Sequence, residues 1–210
     1  MIRVLVVDDH AILRRGLRAL ISDAFAAAEF GEASNAEQAL EQLRLKTWDI
    51  ALLDVTLPGK SGLDLLKELK DGWPRLPVLV LSVHSEDQFA LRALKAGAEG
   101  YMTKESVPEE LVEATRRILA GGRYVSPTLA EKLASGVRKD STKTPHETLS
   151  DREHEVMCYI ASGKTVTEIA RELSLSVKTI STYRTRILEK LDLRNSAEIT
   201  RYAIQNGLVI

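Results

Sequence analysis

Five polar side chains follow short apolar runs in the first half of the chain, and their types suit chemistry on a phosphoryl group. Asp8 and Asp9 follow one run, and Asp54, Ser82 and Lys104 follow three others. Carboxylates that come together repel one another and raise one another's pKa unless a cation lies between them. We therefore expect a hard divalent ion, most plausibly Mg²⁺, among the aspartates, with the lysine as a fixed positive charge beside it.

A carboxylate in such a site can act as the nucleophile toward phosphorus, while the metal and the ammonium group neutralise charge on the phosphoryl oxygens. The sequence contains no Gly-x-x-x-x-Gly-Lys-Ser/Thr loop, so a separate donor is expected to deliver the phosphoryl group. An isolated aspartate after a strand more often caps a turn, and Asp54 alone would be interpreted in that way. The whole set of residues favours phosphoryl transfer instead.

The elements that must position these residues alternate between short apolar strands and amphipathic helices. The run before Asp54 is apolar on both faces, which indicates a parallel strand covered by helices on both sides. Because ligands bind at the carboxyl ends of such strands, the five polar residues are expected along one edge. The predicted fold is α/β, a five-stranded, doubly wound parallel sheet of the flavodoxin-like type. Its predicted strands are Ile2–Val7, Glu29–Ala33, Ile50–Leu53, Val78–Leu81 and Glu99–Met102.

Helix starts in this region are indicated by capping residues. Ser85 and Gln88 form one predicted capping box, Ser106 and Glu109 form another, and Asn35 is a further predicted cap. Pro58, Gly59 and Gly62 predict a turn after Asp54. The remaining residues of note have a structural interpretation: His10 and His84 are predicted to be solvated loop histidines, and Trp48 and Trp73 packing anchors.

Length and composition allow two small domains. The chain has 210 residues and a net charge of −1, and no apolar run approaches the roughly 20 residues that cross a bilayer. The first residues lack the features of a signal peptide, so we expect the protein in the cytoplasm and not in a membrane. Its single cysteine excludes an internal disulfide, and its four histidines show no zinc-binding spacing.

The periodicity weakens after Gly121. Residues 1–121 are predicted to form the first domain, and residues 122–148 a linker with a short helix between Ser126 and Val137. Residues 149–210 resume an ordered pattern and predict a small all-α domain of four helices. Capping boxes start the first two helices, at Ser150 and Thr165, and Gly163 is a predicted C-terminal cap. Two short helices joined by a tight turn, the second of them basic, indicate a helix-turn-helix.

The basic third helix divides into two faces at about 100° per residue. Val177, Ile180, Ile187, Leu188 and Leu191 fall on the core face. Lys178, Thr182, Thr185 and Arg186 fall on the free face, with Ser181 at its edge. Arg184 lies within the apolar arc and must extend outward or pair internally. A charged helix face is usually only solvated, so DNA binding is one of two interpretations of this pattern alone.

Residues 1 to about 120 resemble the receiver domain of two-component response regulators. The resemblance is carried, in the family's order and spacing, by Asp8, Asp9, Asp54, Pro58, Gly62, Ser82, Tyr101 and Lys104. Ser82 is smaller than the threonine often found there, and Glu105 stands where many receivers have proline.

The resemblance implies a role for each residue. Asp54 would accept a phosphoryl group from a sensor histidine kinase, and Lys104 would contact that group. Asp9, Asp54 and the carbonyl of Thr56 would bind Mg²⁺, with Asp8 assisting through water. Ser82 would move its hydroxyl onto the phosphoryl group, which would let Tyr101 turn inward.

Residues 149–210 resemble the LuxR-type helix-turn-helix of the NarL/FixJ class of response regulators. The shared residues include Leu149 to Glu153, Gly163, Glu168 to Ala170, Ser176 and Lys190. The resemblance implies a phosphorylation-controlled transcription factor that binds double-stranded DNA as a homodimer, with RNA polymerase as a further candidate partner. Its predicted DNA contacts are Lys178, Thr179, Ser181, Thr182, Arg184, Thr185, Arg186 and Lys190. Ser181, Tyr183, Val166 and Thr167 depart from the common family residues, which bears on the operator sequence.

Two other classes of function compete with this one. An enzyme could use the acidic site on a metabolite, but no pocket residues for a substrate are visible and the second domain would have no role. A binding module without phosphorylation would not need the complete set of Asp8, Asp9, Asp54, Ser82 and Lys104. We therefore expect no metabolic activity beyond phosphotransfer and self-dephosphorylation.

Overall fold

The computed structural model describes residues 1–83, 86–127, 129–131 and 144–208. These residues belong to two compact units, one within residues 1–133 and the other within residues 134–210. The boundary falls inside the segment predicted as a linker. The predicted capping box of Ser85 and Gln88, and the predicted linker helix from residue 132 onward, lie outside the described residues and side chains.

The first unit contains a parallel five-stranded sheet, as predicted. Its strands are β1 (Ile2–Val7), β2 (Ala28–Ala33), β3 (Ile50–Asp54), β4 (Val78–Ser82) and β5 (Gly100–Thr103). They lie in the order β2-β1-β3-β4-β5, and every neighbouring pair is parallel. Two polar residues belong to the strands themselves, because Asp54 pairs with Leu81 and Ser82 pairs with Thr103. The central strand β3 therefore presents Asp54 at the carboxyl edge.

Four helices connect the strands of this sheet, and a fifth follows the last strand. They are α1 (Ala11–Ala24), α2 (Ala36–Leu45), α3 (Gly62–Gly72), α4 (Glu86–Lys95) and α5 (Val107–Leu119). The predicted cap of α2 is present, since Asn35 accepts a hydrogen bond from the Gln38 N–H. The predicted capping box of α5 is wrong. Ser106 has helical backbone angles, and its hydroxyl bonds Thr103 Oγ1 at 3.1 Å instead of capping the helix.

Both faces of the sheet are buried. Alternate residues of a strand point to opposite faces, and β3 and β4 are buried along their whole lengths. One face contributes Val4, Val6, Leu52 and Leu81 to a core cluster that also contains Leu17 and Ile21 of α1 and Leu111 and Ile118 of α5. Complete burial of an aliphatic side chain stabilises a fold by about 1.5–3 kcal/mol, so this layered core holds the strand ends in fixed positions.

The loop after β3 depends on a glycine. The N–H of Gly62 donates to the Val55 carbonyl at 2.8 Å. A Cβ atom at Gly62 would lie 2.0 Å from the Asp54 carbonyl oxygen and 2.8 Å from Val55 Cα. The start of α3 therefore packs directly on the backbone that carries Asp54, and Ser61 caps this helix through the Leu63 N–H.

The described part of the second unit, residues 144–208, contains four α-helices after a short 3₁₀ helix at Pro145–Thr148. They are α6 (Asp151–Ala161), α7 (Val166–Glu172), α8 (Val177–Leu191) and α9 (Ser196–Gln205). Both predicted capping boxes are present, Ser150 with Glu153 and Thr165 with Glu168. Ser174, in the turn between α7 and α8, has a left-handed φ of 52°. None of the helices described in either unit is long and apolar enough to cross a membrane.

The predicted core face of α8 is mostly confirmed. Ile180, Ile187 and Leu191 are buried, but Val177 is 48% exposed. Val177 is the first residue of α8, next to its cap Ser176, so it precedes the part of the helix that packs on the core.

Substitution of Gly62 by alanine should destabilise the first unit. The added methyl group must displace the backbone of Asp54 and Val55, at a cost of about 2 kcal/mol. Urea unfolding followed by tryptophan fluorescence measures this loss, because both tryptophans of the chain, Trp48 and Trp73, lie in the first unit.

The matched control is Gly72→Ala in the same helix, where a Cβ atom meets nothing within 4 Å. This change should be neutral or stabilising by up to about 1 kcal/mol. Equal stability of the two variants would contradict the packing described for Gly62.

Candidate functional site

The carboxyl edge of the sheet brings together residues from three strands. The ammonium Nζ of Lys104 lies 2.7 Å from Asp8 Oδ2 and 2.7 Å from Asp54 Oδ2. Both aspartates are only 1% exposed. The sequence-based prediction that these side chains meet at one edge is therefore confirmed for Asp8, Asp54 and Lys104.

Backbone hydrogen bonds fix the remaining oxygens of this site. Asp54 Oδ1 accepts from the Thr56 N–H at 3.0 Å, and Asp8 Oδ1 accepts from the His10 N–H at 2.7 Å. The N–H of Lys104 donates to the Ser82 carbonyl at 2.7 Å. Each carboxylate thus has one oxygen held by the backbone and the other directed at the lysine.

Burial dominates the electrostatics of Asp54. The pKa of this carboxyl is raised to about 8, because burial and the charge of Asp8 raise it by more than Lys104 and the Thr56 N–H lower it. Burial alone would lower the pKa of Lys104, but the carboxylates of Asp54 and Asp8 outweigh it and raise that pKa. Without a further cation, a large part of Asp54 is protonated at neutral pH.

The oxygen atoms present fit a hard divalent ion. Carboxylate oxygens of Asp8, Asp9 and Asp54 and a ring nitrogen of His10 all lie within 4.8 Å of one another. Asp8 Oδ2 is buried and accepts no well-aligned hydrogen bond, although Lys104 is close to it. Mg²⁺ takes carboxylate and carbonyl oxygens as ligands, and its charge would favour the ionised form of Asp54.

Two residues that support the site, Arg14 and Glu32, were not found from the sequence. Arg14 of α1 donates to the Asp8 carbonyl at 2.7 Å and to Glu32 at 3.0 Å. Hydrogen bonds from Arg18 and Arg14 lower the pKa of Glu32. His10 lies directly beside the acidic pair. Arg14 and Glu32 are 18 residues apart, and only the helix period of α1 could have suggested that Arg14 faces the strand ends.

The two predicted switch residues occupy neighbouring strands. Ser82 ends β4 and Tyr101 lies in β5, and both side chains are fully buried at 0% exposed. Tyr101 already lies inward in this structure, so the predicted inward turn cannot start from this conformation. The movement of Ser82 on phosphorylation stays a prediction.

The predicted DNA-binding residues of α8 are largely on its free face. Lys178, Ser181, Thr182, Thr185 and Arg186 are exposed. The hydroxyl of Thr182 donates to the Lys178 carbonyl at 3.0 Å, and that of Thr185 donates to the Ser181 carbonyl at 3.1 Å. These backbone bonds fix the orientation of the two hydroxyl groups.

Three other predicted DNA contacts have partners inside the second unit. Arg184 Nε donates to Ser196 Oγ at 2.8 Å, so of the two predicted alternatives for this arginine the structure has the internal pairing. Lys190 Nζ lies 2.6 Å from Glu153 Oε2, and hydrogen bonds from Lys190 and Ser150 lower the pKa of Glu153 against the effect of its burial.

Thr179 Oγ1 lies 2.8 Å from Ser176 Oγ at the start of α8. Thr179, Arg184 and Lys190 therefore contribute to the structure of the second unit, whatever they add to binding.

Comparison with protein families agrees with this division. Residues 4–116 match the response regulator receiver domain, and residues 147–203 match the bacterial regulatory proteins of the luxR family. The chain belongs to the response regulators that join these two domains. It is a phosphorylation-regulated, DNA-binding transcriptional regulator, in a class that consists of such regulators and not of metabolic enzymes.

Among curated proteins the chain is similar to two response regulators along nearly its whole length. It is 36% identical over 209 residues to UvrY of Escherichia coli strain K12, covering 99% of this chain and 96% of UvrY. It is 39% identical over 210 residues to GacA of Pseudomonas aeruginosa PAO1, covering 100% of this chain and 98% of GacA.

Solved structures of RcsB are similar in fold. The RcsB response regulator of Salmonella typhimurium matches with a TM-score of 0.70 at 26% identity, covering 98% of each chain. RcsB of Salmonella enterica serovar Typhimurium, bound to the promoter rprA with the phosphomimetic BeF₃⁻, matches with a TM-score of 0.66 at 28% identity. This match covers 96% of the present chain and 97% of RcsB.

The raised pKa of Asp54 predicts a pH dependence of stability in the absence of metal. When the pKa of an acid is higher in the folded than in the unfolded state, its protonated form stabilises the fold. This contribution is fully present at pH values below the unfolded pKa, here 3.8. That contribution is lost as the pH rises through about 8. Urea unfolding with EDTA, followed by tryptophan fluorescence from pH 5 to pH 9, should therefore show wild type losing stability relative to Asp54→Asn.

Mg²⁺ provides the control for this experiment. Because a divalent cation favours the ionised carboxylate, 10 mM or so of Mg²⁺ should remove most of the difference in slope between the two proteins. Parallel profiles of wild type and Asp54→Asn without metal would contradict the raised pKa.

Proposed function

We propose that Asp54 is the phosphoacceptor of this regulator and that a sensor histidine kinase is the donor. A carboxylate oxygen of Asp54 attacks the phosphorus atom, the bond from phosphorus to the kinase histidine breaks, and an acyl phosphate forms on Asp54. The observation that supports this most is the position of Lys104, whose ammonium lies 2.7 Å from Asp54 Oδ2. It neutralises charge on the carboxylate before the reaction and is close enough to contact the phosphoryl oxygens after it.

Mg²⁺ is the cofactor that the acidic residues suit. Asp9, Asp54 and the Thr56 carbonyl would hold the ion, with Asp8 assisting through water, and the bound ion would neutralise charge on the phosphoryl oxygens. The Thr56 N–H keeps Asp54 Oδ1 oriented at 3.0 Å. Burial excludes bulk water from Asp54, which protects the nucleophile from competing hydrogen bonds.

Ser82 and Tyr101 are proposed to transmit the modification. The Ser82 backbone carbonyl already bonds the Lys104 N–H, so a phosphoryl group that contacts Lys104 lies next to the strand end that carries Ser82. Movement of the Ser82 hydroxyl onto that group would open space in which Tyr101 repacks. Tightly packed interiors do not deform continuously, so a buried aromatic ring that changes position displaces its neighbours. The displaced neighbours then alter the surface of the domain.

The second unit is proposed to bind double-stranded DNA through the free face of α8. Lys178 and Arg186 are exposed cations suited to phosphate contacts, and Ser181, Thr182 and Thr185 are exposed polar groups suited to base edges. Arg184 and Lys190 are proposed as weaker contributors, since their head groups already bond Ser196 and Glu153.

A homodimer is proposed as the DNA-bound form. One helix-turn-helix unit contacts too little DNA for tight specific binding, so two copies on half-sites about one DNA turn apart are expected. A structure of two RcsB dimers bound to two parallel DNAs has been solved, which supports a DNA-bound dimer for this chain. Phosphorylation would favour the dimer. RNA polymerase is a further candidate partner, and the cytoplasm is the proposed location.

Substitution of Asp54 by asparagine should abolish labelling by a small phosphodonor. Wild type incubated with Mg²⁺ and acetyl phosphate should gain the mass of one phosphoryl group in an acid-stable, base-labile form, because the product is an acyl phosphate. Intact-mass spectrometry measures the gain. The control Asp64→Asn removes a half-exposed carboxylate on α3 and should label normally. Undiminished labelling of folded Asp54→Asn would place the acceptor elsewhere.

Substitution of Lys178 by alanine should weaken DNA binding equally on all sequences. Loss of one phosphate contact lowers the salt slope of the binding constant by about one unit. Fluorescence anisotropy of a labelled duplex across a salt series measures both quantities. Lys67→Ala removes an exposed cation from the first unit and serves as the charge-matched control. An unchanged slope and affinity for Lys178→Ala would mean that α8 docks through another face.

A further inference from the structure

The imidazole of His10 lies among the acidic residues of the receiver site. Its Nδ1 is 2.7 Å from Asp9 Oδ1 and 3.3 Å from Asp8 Oδ1, while its backbone N–H donates to the same Asp8 oxygen at 2.7 Å. The side chain is 66% exposed, which fits the prediction of a solvated loop histidine. The sequence did not indicate that the ring nitrogen would face the carboxylates.

The separations of the ring nitrogen from the two aspartate oxygens are close to those of neighbouring ligands on one ion. Around an octahedral ion with bonds of about 2.1 Å, adjacent ligand atoms lie about 3.0 Å apart and opposite ones about 4.2 Å apart. The observed distances of 2.7 and 3.3 Å fall on either side of the adjacent value. The Asp54 oxygen belongs to the same group, in which all four ligand atoms lie within 4.8 Å of one another.

A nitrogen ligand changes which ions such a site prefers. Mg²⁺ takes oxygen ligands and gains little from an imidazole. Divalent iron, cobalt, nickel, copper and zinc accept imidazole nitrogen readily, and their affinities rise along that series as far as copper. Carboxylates alone would discriminate weakly between these ions and Mg²⁺, whereas a mixed set of carboxylates and one imidazole favours the transition ions.

We propose that His10 Nδ1 is a ligand of the ion site in this chain and determines its selectivity for first-row transition ions over Mg²⁺. The inference rests on the proposed function, because the same site holds Mg²⁺ during phosphotransfer. His10 is exposed enough to turn onto a bound ion without repacking the core. The backbone N–H of His10 bonds Asp8 Oδ1 while its ring contacts Asp9, so the imidazole stays beside the acidic pair.

A positioning role for His10 is the alternative, in which the ring only hydrogen-bonds Asp9 and orients its carboxylate. The two roles differ in their consequences. A positioning residue acts on every ion that Asp9 binds, so its removal weakens Mg²⁺ and transition ions alike. A ligand acts only on ions that take nitrogen.

The test uses Co²⁺ as the probe on the full chain with any affinity tag removed. Titration of wild type and His10→Ala with Co²⁺, and separately with Mg²⁺, should show that the variant loses about tenfold or more in Co²⁺ affinity and less than about twofold in Mg²⁺ affinity. Proton NMR of the Co²⁺ complex gives a direct readout, because a coordinated imidazole shows a strongly shifted, exchangeable ring N–H resonance. Wild type should show this resonance and His10→Ala should lack it.

His146→Ala is the matched control, since it removes a part-buried histidine of the second unit, and both affinities and the resonance should persist. Equal losses of affinity for Co²⁺ and Mg²⁺ in His10→Ala, or survival of the shifted resonance, would overturn the ligand assignment.

Asp9→Asn tests the underlying site separately. If Asp9→Asn keeps wild-type Mg²⁺ affinity, the proposed Mg²⁺ site is wrong. If Asp9→Asn loses Mg²⁺ affinity but His10→Ala binds Co²⁺ as wild type does, only the role of His10 is refuted.

Discussion

The ammonium of Lys104 lies 2.7 Å from carboxylate oxygens of both Asp8 and Asp54, and this buried contact joins the ends of β1 and β3 to the residue that follows β5. Two carboxylates that are 1% exposed could not remain together without such a cation. Removal of one partner from a buried ion pair costs about 3–5 kcal/mol, because the remaining charge stays buried. Two effects on the protonation of Asp54 therefore oppose each other: burial favours the protonated form, and the charge of Lys104 favours the ionised form.

This balance explains why the site suits control by phosphorylation. The carboxyl of Asp54, whose pKa burial raises to about 8, needs a further cation to become fully ionised at neutral pH, and a divalent ion in the proposed site would supply that charge. The backbone around Asp54 is tightly packed, because Gly62 lies against the Asp54 carbonyl and leaves no room for a Cβ atom. Ser82 ends the adjacent strand β4, so it is the neighbour to which a change at Asp54 is proposed to pass.

Different interactions position helix α8 in the second unit. Helices of 7 to 15 residues are marginal alone in water, and here capping boxes and tertiary contacts stabilise them. Glu153 serves twice, since its carboxylate accepts from the Ser150 N–H and pairs with Lys190 near the end of α8. Arg184 bonds Ser196 at the start of α9. These polar contacts fix the orientation of α8 and leave Lys178 and Arg186 on its exposed face.

The sequence by itself determined the order of strands and helices, the parallel sheet, the aspartates at the strand ends and the two capping boxes of the second unit. These features follow from local periodicity and from side chains within a few residues of one another. Only the tertiary structure decided that His10 Nδ1 faces Asp9, that Arg14 holds the Asp8 carbonyl, that Ser106 does not cap α5, and that Lys190 pairs with Glu153. These contacts depend on ångström-scale distances between side chains, often on different elements, which a pattern of residue types cannot specify.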